Sequence, residues 1–253
     1  MQKFLRVCMW TAVVTAVLVN FTPPARSANY TSDTEKTAKG DLQITPINHA
    51  TLMLEFGGKV ILVDPTAGQG GPIDYSALAK PDLILITDIH GDHMDKATVD
   101  KVKKASTIVV APAAVAKTIT EAQVIANGEK KTIAGVEIEA VPMYNLTRGP
   151  AAGQLFHDKG RGNGYILTLG GKRVYLSGDT EAVPEMKALK NIDVAFLCMN
   201  LPYTMPTGEA ADAVKAFKPK VVYPYHSRGQ NTEEFAAALK GTAGVEVRLR
   251  NWY

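Results

Sequence analysis

Short apolar runs, separated by glycine, proline and polar residues, set the pattern along most of the chain. Residues 42–47, 51–56 and 60–63 are β-type runs, and Gly57-Gly58 between the last two has the composition of a two-residue hairpin turn. Residues 82–87 are apolar enough for a buried strand. Residues 97–105 and 113–122 have helical composition, with a strand at 107–110 between them. Residues 131–133 and 136–141 read as strands. A second hairpin joins 165–169 to 173–177 through Gly170-Gly171. Apolar strands follow at 194–199 and 221–225, helices at 209–217 and 231–239, and a last strand at 245–249. A hairpin-rich group followed by alternating strands and helices occurs twice. This order predicts an α+β fold of two similar halves packed sheet to sheet with helices outside, a four-layer αβ/βα sandwich.

The first residues do not belong to that pattern. Lys3 and Arg6 precede an apolar run at 7–19, and Pro23, Pro24 and small residues follow. This is the order of a secretory signal peptide, and the run is short of the roughly 20 residues a membrane span needs. Residues 1–27 are therefore expected to be a signal, cleaved after Ser27 or, second, after Ala28. The product would be exported, to a periplasm, with no stable membrane span. Residues 28–40 are polar and poor in large apolar side chains, and they read as a flexible N-terminal segment. Residues 41–253 read as one domain.

Removing the signal takes away three cations and no anions, so the net charge falls from +3 to 0. No polybasic run remains to favour nucleic acid. Cys8 leaves with the signal. Cys198, alone within an apolar run, cannot form an intramolecular disulfide and reads as a small buried hydrophobe.

The chemistry concentrates in Thr87-Asp88-Ile89-His90-Gly91-Asp92-His93-Met94-Asp95, directly after an apolar strand. Four metal-ligating side chains fall within six residues, and Gly91 is expected to permit a tight bend. Imidazole with carboxylate suits Zn²⁺, and carboxylate-rich sets also suit Mn²⁺ or Fe²⁺. Two further candidates lie past later apolar strands, Asp179 after Ser177-Gly178 and His226 after Pro224-Tyr225. Open sheets present ligands at such strand ends.

These motifs resemble the metallo-β-lactamase fold, whose signature is His-x-His-x-Asp-His followed by Gly-Asp and a late His. The nearest subgroup resembles the ascorbate-6-phosphate lactonase-like hydrolases and, more distantly, the phospholipase D enzymes acting on N-acylphosphatidylethanolamine. The resemblance spans residues 42–250 and includes Asn48-His49-Ala50, Val63-Asp64-Pro65 and His157-Asp158-Lys159-Gly160. It implies one or two metal ions. Asp88 and His90 would bind the first, Asp92, His93 and His226 the second, and Asp179 would bridge them. Asp88 stands where the family has histidine, which points toward a harder metal or a weak first site. Asn145 and His157 both fit as the remaining ligand of the first site, and ligand strength favours His157. His49 would line the pocket, hydrogen-bond a ligand or serve a structural role at a strand start.

The expected activity is hydrolysis of a lactone, ester or amide by a metal-activated hydroxide, with Asp92 and His226 as catalytic residues. A phosphodiesterase or phospholipase-type hydrolase of the same fold is the first alternative, and a non-catalytic metal- or ligand-binding protein the second. Residues 143–163 would cover the pocket and offer Arg148, Lys159 and Arg161 to an anionic small-molecule substrate.

Overall fold

A computed structural model describes residues 30–253. The signal expected at 1–27 lies outside the described residues. Within them, the strands form two seven-stranded sheets. The first runs in chain order through β1 (Asp33–Thr37), β2 (Gly40–Asn48), β3 (Thr51–Phe56), β4 (Lys59–Val63), β5 (Leu83–Leu85), β6 (Ile108–Ala111) and β7 (Gln123–Val124). The second contains β8 (Lys130–Ile133), β9 (Val136–Met143), β10 (Gly162–Leu169), β11 (Lys172–Leu176), β12 (Val194–Cys198), β13 (Val221–Tyr225) and β14 (Glu246–Val247). In each sheet the first four strands pair antiparallel and the rest continue parallel. The doubled order seen in the sequence is thus a doubled topology. Both Gly-Gly pairs turn hairpins with positive φ at each glycine, as the two-residue turn requires.

Strand periodicity sorts the layers. Leu83 and Leu85 of β5 and Leu52 and Leu54 of β3 enter the large core that also holds Tyr165, Leu167 and Leu176 of the second sheet. Their neighbours Ile84, Met53 and Leu62 face the other way, against Val99 and Val102 of α1 (Lys96–Val102) and Val115 of α2 (Ala113–Ala116). On the second sheet, α3 (Pro184–Lys187), α4 (Thr207–Phe217) and α5 (Thr232–Leu239) close the outer layer, with Phe217 edge-on to Tyr175 at 6.0 Å. No helix among the described residues is long and apolar enough to cross a membrane. Cys198 is fully buried, and burial pushes its thiol up to about 12, in keeping with a packing role.

The structure departs from the sequence reading in several places. Residues 33–37, expected within a flexible segment, form the edge strand β1. Its composition hides it, because polar partners hold it rather than a core. Asp33 accepts from Arg250 and from the Tyr223 hydroxyl, and Glu35 pairs with Arg248 and Lys172. The domain therefore begins before residue 41. The helix expected at 113–122 stops at Ala116, where the β-branched run Thr118-Ile119-Thr120 begins. Asn231 caps α5 rather than lying inside it, accepting from the Glu233 and Glu234 amides.

Candidate metal centre

The parallel strands bring the candidate residues together. Asp88 lies three residues past β5, Asp179 three past β11, and His226 directly follows β13. After β5 the chain turns tightly, with the His90 carbonyl accepting from the His93 and Met94 amides. Asp95 then caps α1. Gly91 does not make this turn feasible, contrary to expectation. Its φ is ordinary, and a Cβ there would meet nothing within 4 Å. Gly162 is a glycine that close packing at this join requires. A Cβ there would lie 2.8 Å from the Thr87 carbonyl, where the Asn163 amide bonds that same oxygen at 2.9 Å.

All five histidines of the chain meet at this edge. Asp179 is the hub. Its Oδ2 lies 3.2 Å from His157 Nε2 and 3.3 Å from His93 Nε2, and its Oδ1 lies 3.4 Å from His226 Nε2. His226 Nε2 is also 3.3 Å from Asp92 Oδ2 and 3.1 Å from His93 Nε2. On the other side, Asp88 Oδ2 is 2.9 Å from His90 Nδ1 and 3.9 Å from His157 Nε2. Three ligand groups result, Asp88–His90–His157 on one side, and His93–Asp179–His226 and His49–Asp92–His226, which share His226, on the other. Asp179 stands between them, where a bridging carboxylate was expected.

This donor set fits a divalent cation. His157 Nε2 and Asp179 Oδ1 are buried without a hydrogen-bond partner, a costly state unless a positive charge satisfies them. His93 Nε2 and His226 Nε2 face each other with carboxylates on both sides, so lone pairs converge on one volume. Carboxylates and imidazoles shift one another strongly here, and a cation entering the set must displace the proton of His93. Burial works against a charged Asp179, but His226 and His93 hold its carboxyl well below the usual range. Burial likewise opposes charge on His93, and Asp179 and Asp64 override it, raising the imidazole well above 6.5.

The ligand candidates are held from behind. Asp64, which the sequence shows only as part of Val63-Asp64-Pro65, is fully buried and sits 2.8 Å from His93 Nδ1. It also accepts from the Thr87 amide and hydroxyl at 2.8 and 2.6 Å. This leaves His93 Nε2 free to face the centre. Asn145 does the same for His157, its Oδ1 lying 2.6 Å from Nδ1. Its amide nitrogen donates to Glu181 and the Tyr203 carbonyl. The two candidates for one position thus take different positions, His157 at the centre and Asn145 behind it. His49 sits 3.1 Å from Asp92 Oδ2 through Nε2 and 2.8 Å from the Tyr253 hydroxyl through Nδ1. Burial pushes His49 down to about 4, so the ring is neutral, donates to Asp92 and accepts from Tyr253. His49, Asp64 and His226 all have φ between 43° and 52°. Left-handed non-glycine residues are uncommon and collect at functional sites.

The loop cations are not free for substrate, as had been expected. Arg148 pairs with Glu181 and Glu209, Lys159 with Glu185, and Arg161 with Asp88. The cavity above the centre measures about 580 Å³, in the range of small-molecule sites. Phe156, Leu201 and Tyr203 give it an apolar wall, and Gln69, Asn200 and Arg228 a polar one. A second cavity of similar volume, near Tyr30 and Arg250, contains none of the histidines.

A family model, the Beta-lactamase superfamily domain, matches residues 43–226, which include every residue of the centre. The chain belongs to this family. A UPF0173 metal-dependent hydrolase of Geobacillus sp. is 31% identical over 80% of this chain and 95% of its own length. One from Thermococcus kodakarensis is 32% identical over 79% and 93%. A crystal structure from Parabacteroides distasonis, assigned as a metal-dependent hydrolase, superposes with a TM-score of 0.81 at 43% identity, covering 87% of this chain and 98% of that one. The fold and the metal-dependent hydrolase family inferred from the motifs are both upheld by these matches.

Proposed function

We propose that the chain is an exported hydrolase that cleaves a lactone, ester or amide in a small molecule, at a centre formed by Asp92, His93, Asp179 and His226 and extended by Asp88, His90 and His157. The observation that carries it is the convergence of buried imidazole and carboxylate atoms, two of them unpartnered, at the floor of the cavity. Zn²⁺ suits this mixed nitrogen and oxygen set, with Mn²⁺ or Fe²⁺ next. A bound cation supplies an activated water and polarises the bond under attack. The side chains do the rest. Asp64 and Asn145 fix the rings of His93 and His157. Asp92 keeps Oδ2 against His49 and His226 and uses Oδ1 to hold a proton in transit to the leaving group. Phe156 and Tyr203, edge to face at 5.0 Å, offer an apolar wall to the substrate.

The pairing of Arg148, Lys159 and Arg161 with carboxylates favours a carbonyl substrate over a phosphodiester, because free loop cations, with an exported location, are what would support the phosphodiester. The motif similarity to lactonase-like hydrolases points the same way. Metal-loaded protein assayed against a lactone, a carboxylic ester, an amide and a phosphodiester is expected to turn over one of the first three. Turnover of the phosphodiester alone would replace the substrate assignment. Bound metal with no turnover in any arm would favour the binding-protein reading. Export rests on the order of residues 1–27, and a mature N-terminus at Ala28 or Asn29 in secreted material is the expected result.

A further inference from the structure

Asp88 is buried completely, and its carboxylate is already engaged. Arg161 donates from Nε to Oδ1 at 3.1 Å and from Nη2 to Oδ2 at 2.9 Å, a bidentate fork. The guanidinium is itself anchored, since Nη1 donates to the Phe156 carbonyl at 2.8 Å. The backbone fixes both partners. The Asn163 amide bonds the Thr87 carbonyl, and Gly162 permits that approach. The pair is therefore built into the join between β5 and β10.

We infer that Arg161 takes the place of a metal ion on the Asp88 side of the centre, so that the chain binds one cation tightly beside Asp92, His93, Asp179 and His226 and a second only weakly at Asp88, His90 and His157. The charges decide this. The tight pocket offers two carboxylates, Asp92 and Asp179, and two imidazoles. The Asp88 pocket shares Asp179 through His157, and its own carboxylate, Asp88, is already neutralised by a fixed guanidinium in direct contact. A divalent cation entering there must displace Arg161 or sit beside it. Two positive charges about 4 Å apart repel strongly even at the effective dielectric of a protein surface. The resulting difference in affinity is expected to exceed about a hundred-fold.

The inference rests on the metal-centre reading, and the test separates the two. Full-length protein is stripped of metal and titrated with Zn²⁺ by calorimetry, and metal per chain is then counted after dialysis. Wild type is expected to retain one ion, with a second binding at least a hundred-fold more weakly. Arg161→Gln, which removes the charge and keeps the polarity, is expected to tighten the second site at least ten-fold. Arg161→Lys is expected to behave as wild type. Asp88→Asn, which removes the weak pocket's carboxylate, is expected to retain the single tight ion, so it tests the assignment even where the Arg161 variants fail to fold. Two equally tight ions in wild type, an unchanged second site in Arg161→Gln, or loss of the tight ion in Asp88→Asn would overturn the inference. No bound ion in wild type would overturn the metal-centre reading itself.

Discussion

Replacing Asp179 with asparagine is expected to reduce kcat/KM by roughly a thousand-fold, about the several kcal/mol of charge stabilisation that a metal ion supplies. Asp179 is the residue through which the centre is joined. It lies within 3.4 Å of His93, His157 and His226. Asparagine keeps the shape but removes one of the two negative charges beside His93 and His226. It also aims an amide donor, or a weaker carbonyl acceptor, at three imidazole nitrogens. Metal per chain, measured after dialysis, should fall with activity. Retention of activity within ten-fold of wild type would show that the hub does not hold the cation.

Asp64→Asn should act differently, although Asp64 is buried just as deeply. Its carboxylate touches His93 Nδ1 and Thr87, not the cavity. Loss of such a supporting carboxylate typically costs 10–100-fold in metal affinity or activity. Added metal should therefore restore most of the activity of Asp64→Asn and little of that of Asp179→Asn. If excess metal failed to rescue Asp64→Asn, His93 would depend on Asp64 for more than orientation.

The sequence made the parallel strands and both hairpins legible for simple reasons. Apolar runs such as Val194–Cys198 and Val221–Tyr225 are buried at every position, and each Gly-Gly pair marks a turn with positive φ. The dense cluster from Asp88 to His93 could be read for the same reason, since its donors are adjacent in sequence. What stayed hidden depends on contacts between distant residues. The strand Asp33–Thr37 is held by Arg248, Arg250 and Tyr223, so its own composition shows no core face. Asn145 and His157 are equivalent as lone candidates, and only packing puts one behind the other. Arg161 reads as a loop cation offered to substrate because its partner Asp88 lies 73 residues away. Asp64 showed as part of Val63-Asp64-Pro65, but its contact with His93 crosses 29 residues.

One buried pocket is expected to hold the cation on which hydrolysis depends. Crystals grown with Zn²⁺, with anomalous data collected on both sides of the metal edge, test it most directly. A strong peak is expected about 2.0–2.2 Å from His93 Nε2, His226 Nε2 and carboxylate oxygens of Asp92 and Asp179, with a weaker peak or none beside Asp88. A sole peak at Asp88, His90 and His157, or no peak among the five histidines, would contradict it.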